Sequence, residues 1–388
     1  MIQVNEAEAL IQRHFTGWGH ERIGIESAHG RVLAEDVVSD RDYPPYDRVT
    51  MDGFAFNSKL QNKLQVIQDI QFAGEAPKTL NGEGVIEVMT GSSLPGNTDC
   101  VVQYEKCSIV KDKNGQRSVQ TEATLREYLN VHTKGSDAKK GDVLLKPGLR
   151  LNSQHIAVAA SVGQNMLLVE RLPKVLLIGT GNELVENKAP QPFQIRPSNT
   201  ISLASLLYKN GIQFKRLHLP DSPAQIEKAL SAEIDEYDLI LFSGGVSMGK
   251  ADHIPSILEN LGVQKVFHRI AQKPGKPLWF GHKKSQLFFG LPGNPVSTSV
   301  CFVRYVLTIL VPGSKTRVPL GHDFKRTRDL TLFIPVEMRM NNDFMEAHEI
   351  KTNGSGDFIS TAKASGVVEL PLEKDLYLRG EYVSYYRF

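Results

Sequence analysis

Residues 237–253, YDLILFSGGVSMGKADH, decide how this chain is read. Leu239, Ile240, Leu241 and Phe242 form an apolar run too short for a free-standing helix, so the spacing predicts a buried strand. Gly244, Gly245 and Gly249 then let the backbone turn and approach a ligand closely. A strand that breaks into such a turn before a helix aims amide N–H groups at one point, which favours phosphate or a similar oxyanion. Each charge-assisted bond there is worth about 1.5–3 kcal/mol. Asp252, just beyond, can hold a divalent cation against that anion. Two familiar motifs come close and fail. Gly244 to Lys250 fits G-x4-G-K, but Ala251 stands where a P-loop needs a Ser or Thr hydroxyl. GTGNEL, from Gly179, has Leu184 in place of the third glycine of a dinucleotide fingerprint.

Outward from this stretch, apolar strands and helices alternate from Lys174 to Gly313, which predicts a parallel sheet covered on both faces. GTGNEL, LPD, SGGVSMGKAD and LPGNP follow the apolar runs, at the carboxyl ends of strands where open α/β sheets bind ligands. Asn5 and Glu8 suggest a capping box opening a helix over 6–15. RDYPPYDRVTMDGFAF reads as an ordered loop that presents Asp52, or as a domain crossing. VIEVM, TGSSLPGNT and DCVVQYEKCSIV read as short strands, with Asn114-Gly115 as a hairpin signal. Beyond Pro312 the pattern is again β, predicting a small barrel or sandwich. The fold class is therefore multidomain α/β plus β: a central parallel-sheet α/β domain at 173–314, a β-rich inserted domain at 43–135, a C-terminal barrel-like β domain at 315–388, and a discontinuous first domain at 1–42 and 136–172.

Composition limits the function. A net charge of +2 lacks the basic excess of a nucleic-acid binder, so anion affinity must be local. Cys100, Cys107 and Cys301 are odd in number and contain no C-x-x-C, which predicts free thiols in a reducing cytoplasm. The N-terminus lacks signal-peptide features, and the apolar stretch 300–311 is too short to span a membrane and carries Arg304.

Single residues carry two readings each. Asp52 before Gly53 is a turn cap or a presented carboxylate, and Thr90-Gly91 reads on its own as hairpin punctuation. Glu183 is a solvated loop acid or a ligand at a strand end; Asp221 is a helix N-terminal partner or a cation ligand. In KPGKP, two prolines and a glycine fix the backbone so that Lys273 and Lys276 converge as two cations. LPGNP, with Pro292 and Asn294, is a strand-to-helix turn that can also face the anion site.

Together PPYDRVTMDGFAF, VMTGSSLPGNTD, GTGNELVE, SGGVSMGKAD, KPGKPLWFG and LPGNPVS closely resemble the molybdopterin molybdenumtransferase family, which includes the E domain of gephyrin. The likeness runs in the family's order over nearly the whole chain. It implies a four-domain homodimer whose cleft combines the α/β domain of one protomer with the β-rich domain of the other. It also implies the last step of molybdenum cofactor synthesis, in which molybdate replaces the adenylyl group of adenylylated molybdopterin, with Mg2+, and AMP leaves. Asp52, Thr90, Glu183, Asp221, Asp252, Lys273 and Lys276 match the family's polar active-site positions, Gly244, Gly245 and Ser247 its anion turn, and Ser355 in NGSGD a family serine. On this reading Glu183, Asp221 and Asp252 hold the metal. DRVT before Met51 departs from the family's Asn-Ser-Ala-like run, and the family's C-terminal arginine is not placed among Arg326, Arg328 and Arg339. Two alternatives stay open. A molybdopterin adenylyltransferase, which is also the expected protein partner, usually carries a TGGTG-type turn; a non-catalytic scaffold of the gephyrin E type would use the same fold.

Overall fold

The computed structural model describes residues 1–60, 63–186, 189–246, 253–326, 329–341 and 344–388. The chain forms two compact units, one of residues 20–170 and one joining residues 1–19 to 171–388.

The larger unit is built on a six-stranded sheet in the order Phe214–Leu219, Val175–Thr180, Leu239–Ser243, Gln286–Leu291, Trp279–Lys283, Gln264–His268. The first four strands are parallel. The last two join through antiparallel pairings, Trp279–Lys283 running against the other five, so the sheet is mixed where the alternation of elements predicts a parallel one. The reason is local: only residues 284–285 separate Trp279–Lys283 from Gln286–Leu291, and a parallel pair needs a crossover of a dozen residues or more. Lys284 takes the left-handed conformation this tight turn requires, at φ 54°. Both faces of the parallel part are covered. Val175, Leu177, Leu239, Leu241 and Phe289 enter one core, and the alternate residues Leu176, Ile178, Ile240, Phe242 and Phe288 enter another.

The first helix is Val4–His14, capped by Gln3 with Glu6 rather than by Asn5 with Glu8. Its apolar residues Val4, Ala7 and Ile11 share one stripe, and a start at residue 4 puts all three into the α/β core. The helix thus packs with the α/β sheet, not with the discontinuous domain to which its place in sequence assigns it. The C-terminal sheet orders Gln272–Lys273, Thr331–Asn341, Gly366–Leu370, Tyr382–Arg387 and Lys315–Pro319, with Phe344–Glu349 paired to Thr331–Asn341. A bridge between Leu320 and Ala347 ties the far edge back towards that last strand, giving barrel-like closure around Val336, Val368 and Tyr385.

In the smaller unit, a sheet runs Cys100–Gln103, Gly53–Phe56, Val85–Val88, Gln65–Gln71, Arg117–Thr121, Cys107–Lys111. GFAF is a fully buried inner strand and not part of a loop. Gly53 is required there, because a Cβ would collide with the Val102 carbonyl. Residues 90–99 form turns rather than a strand, while the Asn114-Gly115 hairpin forms between Cys107–Lys111 and Arg117–Thr121. A second core holds Leu33, Val37, Leu151, Ala159, Leu167 and Val169, with helix Ser153–Ser161 capped by Asn152. No helix among the described residues is long and apolar enough to cross a membrane.

Candidate active site

The strand Leu239–Ser243 delivers the chain into Gly244 and Gly245, at φ 93° and 67°. A Cβ on Gly245 would lie 2.7 Å from Thr180 Oγ1 and 3.0 Å from Ile254 Cγ1, so the turn is pressed against the neighbouring strand end and only glycine fits. Asn199 holds it from the side. Its Nδ2 is 3.1 Å from Ser243 Oγ, 2.7 Å from the Gly293 carbonyl and 3.2 Å from Thr298 Oγ1, joining the glycine turn to LPGNP. Ser247, Gly249 and Asp252 lie outside the described residues.

Glu183 and Asp221 follow two adjacent parallel strands. The Asn182 amide donates to Asp221 Oδ2 at 3.1 Å and the Asp221 amide donates to Asn182 Oδ1 at 3.2 Å, which locks the two loops together. The Glu183 carboxylate folds back over Gly181, where a Cβ would lie 2.6 Å from its Oε1. Among the described residues no group of three or more His, Cys, Asp or Glu is placed to hold a metal. Glu183 and Asp221 nevertheless supply hard oxygen donors on joined loops, and Mg2+ typically needs only one or two carboxylates beside phosphate oxygens. These donors fit that ion.

A cleft of about 1000 Å³ opens between the α/β domain and the C-terminal domain, and it gathers Lys273, Lys276, Pro292, Asn294 and Ser355. The Asn294 side-chain amide donates to Ser355 Oγ at 2.9 Å and the Val296 amide to the Ser355 carbonyl at 3.1 Å. Asp357 braces the serine loop by accepting from the Asn353 and Ser360 amides and the Ser360 hydroxyl, which holds its carboxyl below the usual range. The cleft also contains Lys351, a cation that the sequence pattern does not single out. Arg326 is committed elsewhere, to Asp375 and the carbonyls of Leu372 and Lys374, and Arg339 pairs with Glu337. Neither lines the cleft, and Arg328 lies outside the described residues. Lys273, Lys276 and Lys351 form no ion pair among the described residues, leaving three ammonium groups available to an anion.

In the smaller unit, Asp52 and Thr90 meet. Asp52 Oδ1 accepts from the Thr90 amide at 2.6 Å and from the Thr90 hydroxyl at 2.7 Å. These bonds hold the exposed Asp52 carboxyl below its ordinary range. Thr90 is therefore more than hairpin punctuation: it orients a carboxylate.

Comparison with known proteins bears on the same segments. Residues 2–163 match the family described as MoeA N-terminal region (domain I and II), 176–311 a probable molybdopterin binding domain, and 317–388 the MoeA C-terminal region (domain IV). A molybdopterin molybdenumtransferase from Synechocystis sp. is 35% identical, with all of both chains covered. One from Haemophilus influenzae is 36% identical over 75% of this chain and 72% of its own. The crystal structure of a molybdopterin biosynthesis MoeA protein from Pyrococcus horikoshii superposes with a TM-score of 0.81 at 31% identity, covering 100% of this chain and 99% of that one.

Proposed function

This chain belongs to the molybdopterin molybdenumtransferase family, enzymes of molybdenum cofactor biosynthesis, and from that membership we propose that it inserts molybdate into adenylylated molybdopterin with release of AMP. The observation that carries the reading is the convergence of Lys273, Lys276 and Lys351 with Asn294 and Ser355 in one cleft. The three lysines neutralise a dianionic oxyanion, and the Ser355 hydroxyl, held by Asn294, fixes its orientation. The Gly244–Gly245 turn, with Ser247 and Gly249, offers amide donors to the substrate's phosphates. Glu183 and Asp221, with Asp252, would hold Mg2+, which when bound neutralises charge on those phosphates. Asp52, kept ionised by Thr90, orients the displacement.

The same proposal takes in a cytoplasmic homodimer that receives its substrate from the molybdopterin adenylyltransferase, and an inner division of the smaller unit near residues 42 and 135. Free thiols at Cys100, Cys107 and Cys301 accord with a reducing compartment. Sedimentation of a strict monomer would count against the dimer. The cleft assignment is tested with Lys276→Ala: turnover falls about 10²–10³-fold if Lys276 acts as a preorganised donor to the oxyanion. Near-wild-type turnover in a folded variant would remove Lys276 from the site.

A further inference from the structure

The Lys273–Lys276 loop has an unusual backbone problem. Pro274 and Pro277 carry no N–H, which removes two local donors from the loop. The Pro274 and Gly275 carbonyls find their donors in side chains outside the loop. Gln272 Nε2 donates to the Pro274 carbonyl at 3.0 Å and lies 3.6 Å from Cys301 Sγ, which in turn donates to the Gly275 carbonyl at 3.5 Å. The Lys276 carbonyl accepts from the Ile270 and Leu278 amides at 2.9 and 3.1 Å. All three carbonyls of residues 274–276 are thereby held from below, and the two lysine side chains are left exposed on the cleft side.

The Gln272 amide that holds the Pro274 carbonyl is itself fixed. Gln272 is 1% exposed, and its Oε1 accepts from the hydroxyl of Tyr305, also 1% exposed. The packing is tight: a Cβ on Gly275 would lie 2.6 Å from both Cys301 Sγ and Gln272 Nε2. Cys301 ends the helix Pro295–Cys301, and Tyr305 lies in the π turn Phe302–Val306 that follows. The i→i+5 spacing of such a turn re-aims side chains. Here Cys301 reaches the lysine loop and Tyr305 reaches Gln272, while Arg304 between them reaches Glu8 and Glu369.

We propose that Gln272 and Tyr305, with Cys301, are positioning residues that set the placement of Lys273 and Lys276 in the anion cleft. The inference rests on the reading of that cleft as the oxyanion site. Tyr305 stabilises one orientation of the Gln272 amide, the amide and thiol hold the two loop carbonyls, and the lysine stems project from a backbone that cannot swing. A buried glutamine, thiol and phenol under an apolar helix are costly unless every group is paired, and here they pair with one another and with the loop.

Tyr305→Phe removes one hydroxyl and leaves volume nearly unchanged. Its control is Tyr386→Phe, which removes the equally buried hydroxyl bonded to Glu369 at 2.6 Å and does not touch the loop. Hydrogen exchange at the Ile270 and Leu278 amides, both bonded to the Lys276 carbonyl, reads the loop directly. Tyr305→Phe speeds exchange there at least tenfold and lowers kcat for AMP release about tenfold, whereas Tyr386→Phe leaves both near wild type. Cys301→Ser, which keeps a donor for the Gly275 carbonyl, retains more turnover than Cys301→Ala, guarding against a variant lost to misfolding. Unchanged exchange in Tyr305→Phe, or equal effects in Tyr386→Phe, would overturn the assignment. Absence of molybdate-dependent turnover in the wild type would instead overturn the functional reading, because exchange scores the loop without any reaction.

Discussion

Asp52 accepts both of its hydrogen bonds from Thr90, the backbone amide contributing first and the hydroxyl second to the lowering of its pKa. The folded state therefore favours the ionised carboxylate. Its contribution to stability is present above the ordinary Asp pKa and is lost as pH falls through the lowered folded value. The group is exposed, so solvent screening keeps that contribution small, and the consequence lies in charge state. Thr90→Val, which keeps the amide and removes the hydroxyl, moves the Asp52 pKa part of the way back up, as a carboxyl-carbon NMR titration would read; an unmoved pKa would contradict the pairing. At this scale the sequence is legible where chemistry is framed by rigid neighbours. Lys273 and Lys276 stand out because prolines and a glycine surround them. Asn199, Gln272 and Lys351 do not: Asn199 acts on distant Gly293 and Thr298, Gln272 on Cys301 and Tyr305, and Lys351 gains its role only from the cleft that it lines.

The glycine turn is the element on which the anion reading depends, and two glycines separate its conformational demand from its packing demand. Gly245 has φ 67° with Thr180 and Ile254 inside contact distance of a Cβ; Gly262 has φ 82° with nothing within 4 Å. Alanine at either position meets the left-handed penalty of roughly 1–2 kcal/mol, seen as a lower urea midpoint. Only Gly245→Ala displaces the turn, so it alone loses most of its turnover; equal activities would show that the turn tolerates displacement. The turn was readable because an uninterrupted apolar run precedes it. The strands Gln264–His268 and Trp279–Lys283 were not: the first is an edge strand that admits Lys265 and His268, and the second, though paired on both sides, ends in His282 and Lys283, so both break the apolar signal. Gly53–Phe56 escaped for the opposite reason: four residues buried on both faces show no alternation to detect.

Across the larger unit, Arg304 joins three parts of the chain. It is 1% exposed, donates to Glu8 of the first helix at 2.7 Å and to Glu369 of the C-terminal sheet at 3.0 Å, and lies over the rings of Tyr305 and Tyr386. Glu369→Leu leaves that guanidinium short of its buried partner and lowers stability by about 3–5 kcal/mol in urea unfolding; a loss under 1 kcal/mol would mean that Glu8 alone suffices. No local pattern announces this junction, because Arg304 lies 65 residues from Glu369 and 296 from Glu8 along the chain. The cleft lies in the same unit, between the α/β and C-terminal domains, and the claim made for it is chemical. The most direct test supplies purified protein with adenylylated molybdopterin and measures AMP with molybdate and Mg2+ together, with each alone, and with ATP and molybdopterin in their place. AMP release only when molybdate and Mg2+ are both present is the predicted result, and AMP release indifferent to molybdate, or adenylylation of molybdopterin from ATP, would contradict it.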